Sequence, residues 1–284
     1  MRTIVHLSDL HFGRFDDQLL APLLATIGEL TPHLVVVSGD LTQRARPAEF
    51  QQARAFLDRL AAPFVVVPGN HDVPLYNILA RLVDPFGRYR RYITNDLSPV
   101  FSDDEIVVVG LNSARTVSSR SGGGRLNMDQ VDQAVKQLSS MPARAALTKI
   151  VVTHHPFDLP EGYAPEHLIG RAHLAMAKLA AVGADLFLAG HLHRSHVGGS
   201  AERYKIAGHR ALVVQAGTLS TRERGEPNAF NVIRLAAPDA AIEHRTWDPA
   251  QRRFETSWTG EYRHGADGWQ ESVTAPSRMT PREP

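Results

Sequence analysis

The chain has 284 residues, of which 43% are hydrophobic, enough for one large core. Its 31 basic and 30 acidic residues leave a net charge of +1, which gives no strong electrostatic signature for nucleic acid or anionic lipid. The chain has no cysteine, so disulfide bonds and thiolate metal ligands are excluded.

Five short apolar runs predict β-strands, and each leads into a motif of polar residues. The strands and motifs are residues 3–8 before Asp9-Leu10-His11, 34–38 before Gly39-Asp40, 64–67 before Gly69-Asn70-His71-Asp72, 149–153 before His154-His155-Pro156, and 185–189 before Gly190-His191-Leu192-His193. Loops at the carboxyl ends of strands usually host the site of an α/β sheet. We therefore expect the five motifs to converge on one edge.

The segments around these strands predict further elements. Helices are predicted at residues 47–60, 127–138 and 166–181, where Pro47 suits a first turn and Asn127 suits a cap. Beyond His193, short apolar runs between Gly, Pro and Asn turns predict antiparallel β structure. These runs are residues 203–206, 211–214, 230–235 and 241–247. Alternation of strands and helices indicates the α/β class.

The spread of the motifs indicates one catalytic domain, because cutting the chain between them would leave half a site. We expect this domain to span residues 1–247, with residues 248–284 as an extension that caps the site or contacts a second subunit and ends in a disordered tail. The apolar stretch 173–190 is interrupted by Lys178 and Asp185, so no transmembrane segment is expected. An acidic motif as early as position 9 leaves no room for a signal peptide, and we expect a cytoplasmic protein.

The residue types in the motifs suit a pair of metal ions. Carboxylates bridge cations, imidazoles favour zinc, iron, copper or nickel, and carboxylates suit magnesium or manganese. Two ions about 3.5 to 4 Å apart, left partly open to water and substrate, form the usual centre for phosphoester hydrolysis. A mixed donor set predicts manganese, iron, zinc or cobalt as the cofactors, with magnesium less expected.

In this order, the five motifs resemble those of the calcineurin-like metallophosphoesterases, from Asp9 to His193 and on to about residue 245. The resemblance implies a four-layer α/β/β/α sandwich, in which two packed mixed β-sheets are flanked by helices and the later strands complete the second sheet. Within the superfamily, these motifs in a chain of this size resemble bacterial cyclic-nucleotide and glycerophosphodiester phosphodiesterases. The implied reaction is hydrolysis of a small phosphodiester by a hydroxide that bridges the two metals.

The resemblance also implies roles for residues. The metal ligands would be Asp9, His11 and His193 for one ion, Asn70, His154 and His191 for the other, and Asp40 as the bridge. His71 would face the scissile phosphate and protonate the leaving group or stabilise its charge. Asp72 follows His71 and is expected to orient its imidazole. His155 adjoins His154 and is the weaker alternative as a ligand.

Substrate phosphates usually meet arginine, whose planar fork matches two oxygens. Candidates beside the motifs are Arg14, Arg44, Arg115, Arg120, Arg125 and Arg194. The glycine-rich stretch 121–125 lacks the lysine and hydroxyl of a P-loop, so strong nucleotide phosphate binding is not expected there. His196 is a candidate for lining the substrate pocket, and residues 217–220 either approach the site or form a plain turn.

Other functions remain open at this point. Residues 8–13 also resemble the nuclease subunits of double-strand-break repair, which favours a DNA exonuclease as the first alternative. A pyrophosphatase acting on a nucleotide-linked lipid precursor would need an apolar cleft. Candidates for that cleft are Phe12, Phe15, Tyr76, Leu79, Leu82 and Phe86. A non-catalytic scaffold is the remote alternative, because such relatives tend to lose metal ligands and every ligand position is intact here. The resemblance also implies a possible homodimer.

Overall fold

The structure is a computed structural model that describes residues 1–75, 77–116, 123–141, 147–222 and 225–272. Its strands are β1 (Arg2–Leu7), β2 (Leu34–Val37), β3 (Phe64–Val66), β4 (Val100–Ser102), β5 (Ile106–Gly110), β6 (Thr148–Val152), β7 (Ala184–Ala189), β8 (His196–Gly199), β9 (Leu212–Gln215), β10 (Ala229–Ala236), β11 (Asp239–Asp248), β12 (Arg253–Gly265) and β13 (Gly268–Glu271). Its helices are α1 (Asp17–Leu30), α2 (Pro47–Leu57), α3 (Ile78–Val83), α4 (Gly87–Tyr92), α5 (Met128–Ser140), α6 (Ala172–Ala180) and α7 (Ala201–Tyr204).

The strands form two mixed sheets. The first has the order β13-β12-β11-β10-β1-β2-β3, and the second has the order β4-β5-β6-β7-β9-β8. Strands β1, β2 and β3 run parallel, and so do β5, β6, β7 and β9. The remaining pairs are antiparallel. The first sheet is therefore parallel at its β1-β2-β3 end and antiparallel from β10 to β13. The second sheet has a parallel centre with one antiparallel strand, β4 or β8, at each margin.

Alternate residues of the central strands pack into different hydrophobic cores, because successive side chains point to opposite faces of a sheet. On β2, Leu34 and Val36 pack between the two sheets, whereas Val35 and Val37 pack under the helices of the first sheet. On β6, Val151 lies in a third core, under α5 and α6. Three stacked cores define four layers, so the predicted α/β/β/α sandwich is confirmed.

Helix α1 illustrates how local sequence fixes an outer layer. Asp16 caps it by accepting a hydrogen bond from the Gln18 amide at 3.0 Å. Leu19, Leu23 and Ile27 recur four residues apart and are buried on one face. Burying each of these side chains contributes about 1.5 to 3 kcal/mol, which anchors the helix to the sheet.

All five predicted ligand-bearing strands are present, as β1, β2, β3, β6 and β7. They lie in two sheets rather than along one edge, because β6 and β7 belong to the second sheet. The loops that follow them are tied together by main-chain hydrogen bonds. Asp9 N donates to Gly39 O at 3.1 Å, and Gly190 N donates to His154 O at 3.0 Å. The convergence thus occurs at one end of the sandwich.

Three expectations about the later elements need correction. Residues 203–206, predicted as a strand, begin within α7 and continue into a turn where Lys205 has a φ of 49°. The predicted helix 166–181 is shorter, since a 3-10 turn over Pro165–His167 precedes α6. Of the later strands, β9 joins the second sheet in parallel, whereas β10 and β11 extend the first sheet.

The segment after residue 247 continues the first sheet. Strand β12 pairs antiparallel with β11, and β13 pairs antiparallel with β12. Its role as a cap or dimer contact, and the domain boundary itself, stay predictions. The expected disordered tail, residues 275–284, lies outside the described residues.

Candidate metal centre

Five non-glycine residues of the motif loops adopt left-handed backbone conformations, with φ angles between 46° and 74°. These residues are Asp9, His11, Asp40, His191 and His193. Such a conformation costs about 1 to 2 kcal/mol per residue, so it persists only where the surroundings enforce it. The loops after β1, β2 and β7 are therefore bent sharply at the residues whose side chains the sequence singled out.

The first donor group consists of Asp9, His11 and His193, all of them buried. His193 Nε2 lies 3.1 Å from Asp9 Oδ1 and 3.0 Å from His11 Nε2. His11 Nε2 lies 3.6 Å from the same carboxylate oxygen. Asp9 Oδ1 is buried without a hydrogen-bond partner among the described residues. A buried carboxylate oxygen of this kind requires a proton or a cation.

The second donor group joins both sheets. Asn70 Oδ1 lies 3.1 Å from His154 Nε2 and 3.1 Å from His191 Nδ1. Asn70 opens the 3-10 turn Asn70–Asp72 after β3, whereas the two histidines follow β6 and β7. One amide oxygen and two imidazoles thus converge from three different strands.

Asp40 lies between the two groups. Its Oδ2 is 3.7 Å from His11 Nε2 and 3.4 Å from His154 Nε2, and the residue is 1% exposed. Gly69 packs directly against it, and a Cβ at that position would collide with the amide nitrogen and carboxylate of Asp40. Asp40 therefore lies near histidines of both donor groups, and only glycine fits beside it.

Backbone carbonyls fix the orientation of three of the imidazoles. The Nδ1 atoms donate from His11 to Thr42 O (3.3 Å), from His154 to Ser38 O (2.8 Å) and from His193 to Arg222 O (2.9 Å). Because a carbonyl only accepts, Nδ1 carries the proton and the Nε2 lone pair points into the site. This is the usual arrangement behind metal-ligating histidines.

The charges of the site suit cation binding. Burial raises the pKa of Asp9 and of Asp40, but the surrounding imidazoles outweigh it and hold both values below the ordinary one. Burial lowers the pKa of His154, yet the charge of Asp40 raises it to about 9. Burial and the nearby His155 lower the pKa of His191. In the metal-free protein, protons on the imidazoles would offset the negative charge of the two buried carboxylates. A bound cation would take the place of those protons.

The donor set therefore fits a metal centre. Groups of three donor atoms that lie within 4.8 Å of one another overlap through Asp9, His11, Asp40 and His154. Mixed carboxylate, imidazole and amide donors suit manganese, iron, zinc or cobalt. The presence of two ions and their identity stay predictions.

His71 lies against the donors with both ring nitrogens engaged. Its Nδ1 donates to Gln43 O at 2.8 Å, and its Nε2 lies 3.1 Å from Arg222 Nη1. Its backbone amide donates to Asp40 Oδ1 at 2.8 Å, and its ring packs edge-on against His11 with centroids 4.8 Å apart. The imidazole is thus fixed beside the Asp40 carboxylate, with Nε2 in contact with Arg222.

Asp72, which was expected to orient the His71 imidazole, instead bonds to backbone amides of two loops. Its carboxylate accepts hydrogen bonds from the amides of Gly69 (2.9 Å), Leu41 (3.2 Å) and Thr42 (2.9 Å). It therefore ties the loop after β2 to the loop after β3, and the Gln43 carbonyl orients His71 instead. Burial, together with the charge of Asp40, raises the pKa of Asp72 to about 7.

The neighbouring histidines occupy distinct places. His154 faces Asp40 and Asn70, whereas His155 Nδ1 pairs with Ser113 Oγ at 2.8 Å. The His155 ring packs against that of His191 with centroids 4.5 Å apart. This geometry favours His154 as the donor, although His155 also lies close enough to join a group with His154 and His191.

Sequence reasoning missed Arg222, the arginine that contacts His71. Of the candidates named from the sequence, Arg14, Arg115, Arg125 and Arg194 are exposed, Arg44 is half-buried, and Arg120 lies outside the described residues. The signal that could have located Arg222 was the preceding segment 217–220. That segment approaches the site, because Thr218 Oγ1 donates to Asp9 O at 2.8 Å.

The remaining candidates lie outside the donor cluster. His196 lines an open cleft of about 720 Å³ together with Asp158, Arg203 and Arg210. Of the described candidates for an apolar cleft, three are buried in the core and two are exposed. Phe12, Phe15 and Phe86 are at most 9% exposed, Leu79 and Leu82 are 74% and 61% exposed, and Tyr76 lies outside the described residues.

No helix among the described residues has the length and apolar content needed to cross a bilayer. The longest of them, α1, has 14 residues.

Comparison with known proteins adds independent information. A calcineurin-like phosphoesterase family model matches residues 2–195. A probable glycerophosphodiester phosphodiesterase of Arcobacter nitrofigilis is 32% identical over 171 residues, which are 57% of each chain. A probable cyclic nucleotide phosphodiesterase of Synechococcus sp. is 25% identical over 217 residues, 69% of this chain and 75% of that one. The chain thus spans little more than half the length of the first of these relatives.

Solved structures share the fold. Purple acid phosphatase PPD1 from yellow lupin superposes with a TM-score of 0.66 at 13% identity, covering 91% of this chain and 53% of that one. Vps29 from Cryptosporidium parvum superposes with a TM-score of 0.50 at 12% identity, covering 92% and 98%. At such identities the likeness shows the two-sheet architecture alone. The family match spans more than half of the sequence and includes all five motifs, so the chain belongs to the calcineurin-like phosphoesterase family.

Proposed function

We propose that this protein is a metal-dependent hydrolase of a small phosphodiester, of the 3',5'-cyclic nucleotide or glycerophosphodiester type. One observation carries the proposal. Carboxylate, imidazole and amide donors from both sheets meet around Asp40, and the oriented imidazole of His71 lies beside them. Such a cluster can hold cations, a phosphate and a proton-transferring group in one place.

The donors divide into two sets with one shared member. Asp9, His11 and His193 would hold one cation, Asn70, His154 and His191 the other, and Asp40 both. Bound there, the two cations would neutralise phosphate charge and lower the pKa of a coordinated water. The buried carboxylates and the carbonyl-fixed imidazoles supply a rigid frame, so little reorganisation is needed during the reaction.

Hydrolysis forms one P–O bond to the oxygen of water and breaks the P–O bond to the leaving alcohol, whose oxygen takes up a proton. His71 is positioned to donate that proton. Its Nδ1–H stays on the Gln43 carbonyl at 2.8 Å, so Nε2 is the atom that exchanges a proton with the leaving oxygen. General acid catalysis of this kind accelerates a reaction by about a hundred- to ten-thousandfold.

The substrate class is favoured by the relatives and by two properties of this chain. The relatives are named for glycerophosphodiester and cyclic nucleotide hydrolysis. A net charge of +1 gives little support to a nuclease. The described candidates for an apolar cleft are divided between the core and the surface, which gives little support to a lipid pyrophosphatase. Intact donors disfavour a scaffold that has lost its metals.

The test compares substrates on manganese-loaded protein. Catalytic efficiency is measured on 3',5'-cyclic AMP, on glycerophosphocholine, on bis(p-nitrophenyl) phosphate as an activated diester, and on a DNA duplex end. We expect the highest value on one of the two small diesters. Cleavage confined to DNA would contradict the proposal, and so would inactivity on every substrate after loading with manganese, iron, zinc or cobalt.

Metal occupancy is tested separately. We expect elemental analysis of protein purified without chelator to find up to two ions per chain drawn from manganese, iron, zinc and cobalt. Magnesium as the only tightly bound ion would contradict the assignment. Homodimer formation stays a prediction that molar mass in solution can decide.

A further inference from the structure

Arg222 reaches the metal centre from the loop between β9 and β10. Its Nη1 lies 3.1 Å from Nε2 of His71. Its backbone oxygen accepts a hydrogen bond from Nδ1 of His193 at 2.9 Å. The main chain of Arg222 therefore supports a candidate metal ligand, while its side chain contacts the proton-transferring imidazole. The two roles can be separated by changing the side chain alone.

The loop before Arg222 is fastened to the first ligand loop. Thr218 Oγ1 donates to Asp9 O at 2.8 Å and lies 2.8 Å from Ser220 Oγ, and both residues are fully buried. The Arg222 amide donates to Ser220 Oγ at 3.3 Å. Asn228 Nδ2 donates to the carbonyls of Thr218 and Ser220 at 3.1 and 2.9 Å. This network sets the position of Arg222 relative to the donors.

The Arg222 guanidinium lies within reach of a phosphate held by the candidate metal ligands. Its Nη1 contacts Nε2 of His71, whose ring packs against His11 and whose amide donates to Asp40 Oδ1. Phosphoryl oxygens match the planar fork of a guanidinium in charge and shape, so a bound phosphate would compete with the imidazole nitrogen for the guanidinium N–H groups.

We propose that Arg222 is the substrate-binding arginine of this centre, which rests on the proposed function. In the free protein its guanidinium contacts His71 Nε2. In the complex it donates to the non-bridging oxygens of the phosphodiester and leaves His71 facing the oxygen of the leaving alcohol. Arg222 thus contributes to phosphate affinity and also makes His71 available for proton transfer.

The first test measures phosphate binding without turnover. Inorganic phosphate is titrated calorimetrically into manganese-loaded wild type, Arg222→Met and Arg222→Lys. Loss of a charge-assisted, two-pronged contact should weaken phosphate binding by about ten- to hundredfold in Arg222→Met. Arg222→Lys should fall between the two, because it keeps the charge but loses the fork. Metal content should equal that of wild type, since the Arg222 carbonyl remains bonded to His193.

The matched control is Arg263→Met, on β12. Arg263 is an exposed arginine whose guanidinium lies 3.2 Å from Asp239, so the same substitution removes the same charge away from the centre. Its phosphate affinity and turnover should equal those of wild type. A general effect of net charge would weaken phosphate binding equally in both methionine variants, and that result would overturn the proposal.

The second test uses turnover of bis(p-nitrophenyl) phosphate and of 3',5'-cyclic AMP. Arg222→Met should raise KM on both diesters and lower kcat further on cyclic AMP, whose leaving group is poorer. Phosphate affinity within twofold of wild type in a metal-loaded Arg222→Met protein would overturn the inference. So would loss of metal in both Arg222 variants, because the side chain would then be structural. If wild type binds phosphate but cleaves no diester, only the proposed function fails.

Discussion

Two clusters of buried polar side chains adjoin each other in this molecule and differ in how their atoms are paired. One is the metal centre. The other, which we term the interior network, consists of His6, Ser38, Asn231 and His244. His6 Nε2 lies 2.9 Å from Ser38 Oγ and its Nδ1 lies 3.3 Å from Asn231 Nδ2. His244 Nδ1 lies 2.6 Å from Asn231 Oδ1, and its ring stacks on Trp258.

The difference separates a structural cluster from a reactive one. In the interior network, His6, Asn231 and His244 lie within strands, and both ring nitrogens of His6 have partners. In the metal centre, several donor residues have left-handed backbone conformations, and Asp9 Oδ1 is buried without a hydrogen-bond partner among the described residues. Satisfied polar atoms hold a fold in one arrangement, whereas strained and unsatisfied ones indicate a missing ligand.

Removing the Asp40 carboxylate, which we propose is shared by two ions, should break the metal centre and leave the interior network intact. Asp40→Asn is the suitable change, because asparagine tolerates the φ of 52° that Asp40 adopts. Both ions would lose a ligand, so activity on bis(p-nitrophenyl) phosphate should fall by roughly a thousandfold or more. Elemental analysis should show reduced metal content. Retention of two tightly bound ions would make the bridging assignment wrong.

Changing His71 should separate chemistry from metal binding within the centre. His71→Ala should lower kcat on 3',5'-cyclic AMP by about a hundred- to ten-thousandfold, because the leaving oxygen loses its proton donor. The loss should be smaller on bis(p-nitrophenyl) phosphate, whose leaving group needs less protonation. Metal content should match wild type. Full activity on cyclic AMP would rule out the proton-transfer role.

The sequence predicted the strands that lead into the metal centre well, and the assignment of ligands stays a prediction. Asp9, Asp40 and His154 lie within three residues of the end of an apolar run, so strand prediction and motif placement supported each other there. The division of those strands between two sheets was not predictable from the runs, because a strand buried on both faces has the same composition in either sheet. The α/β/β/α architecture came instead from the resemblance that the motifs carry.

Contacts made by neighbours in the chain were harder to predict. Adjacent residues point in different directions in a 3-10 turn, so Asp72 faces the β2 loop rather than His71. Arg222 lies outside every motif, and its place depends on hydrogen bonds from Thr218 and Asn228 that have no periodic signature. Residues 203–206 were too short a run to distinguish a strand from a helical turn.

The interior network should contribute to the stability of the fold and not to catalysis. His244→Phe keeps a ring against Trp258 but leaves Asn231 Oδ1 without its hydrogen bond, which should lower the free energy of unfolding by about 1 to 3 kcal/mol. Urea unfolding at neutral pH measures this. The control is His173→Phe, an exposed histidine whose ring packs on Tyr204 and whose change should cost little. A large fall in kcat for His244→Phe would show that the two clusters are coupled.

The pH dependence of stability should show that the interior network is neutral in the folded protein, unlike the charged metal centre. Burial lowers the pKa of His244 from 6.5 to about 4, so the folded protein keeps this ring neutral while the unfolded chain binds a proton below pH 6.5. Because the unfolded state then binds more protons, stability is lost as the pH falls from the unfolded pKa toward the folded one. Between about pH 6.5 and 5.5, metal-free wild type should lose about 1 kcal/mol more than metal-free His244→Phe. Parallel urea-unfolding curves for the two proteins over this range would mean that His244 is protonated in the fold, and the interior network would then carry charge as the metal centre does.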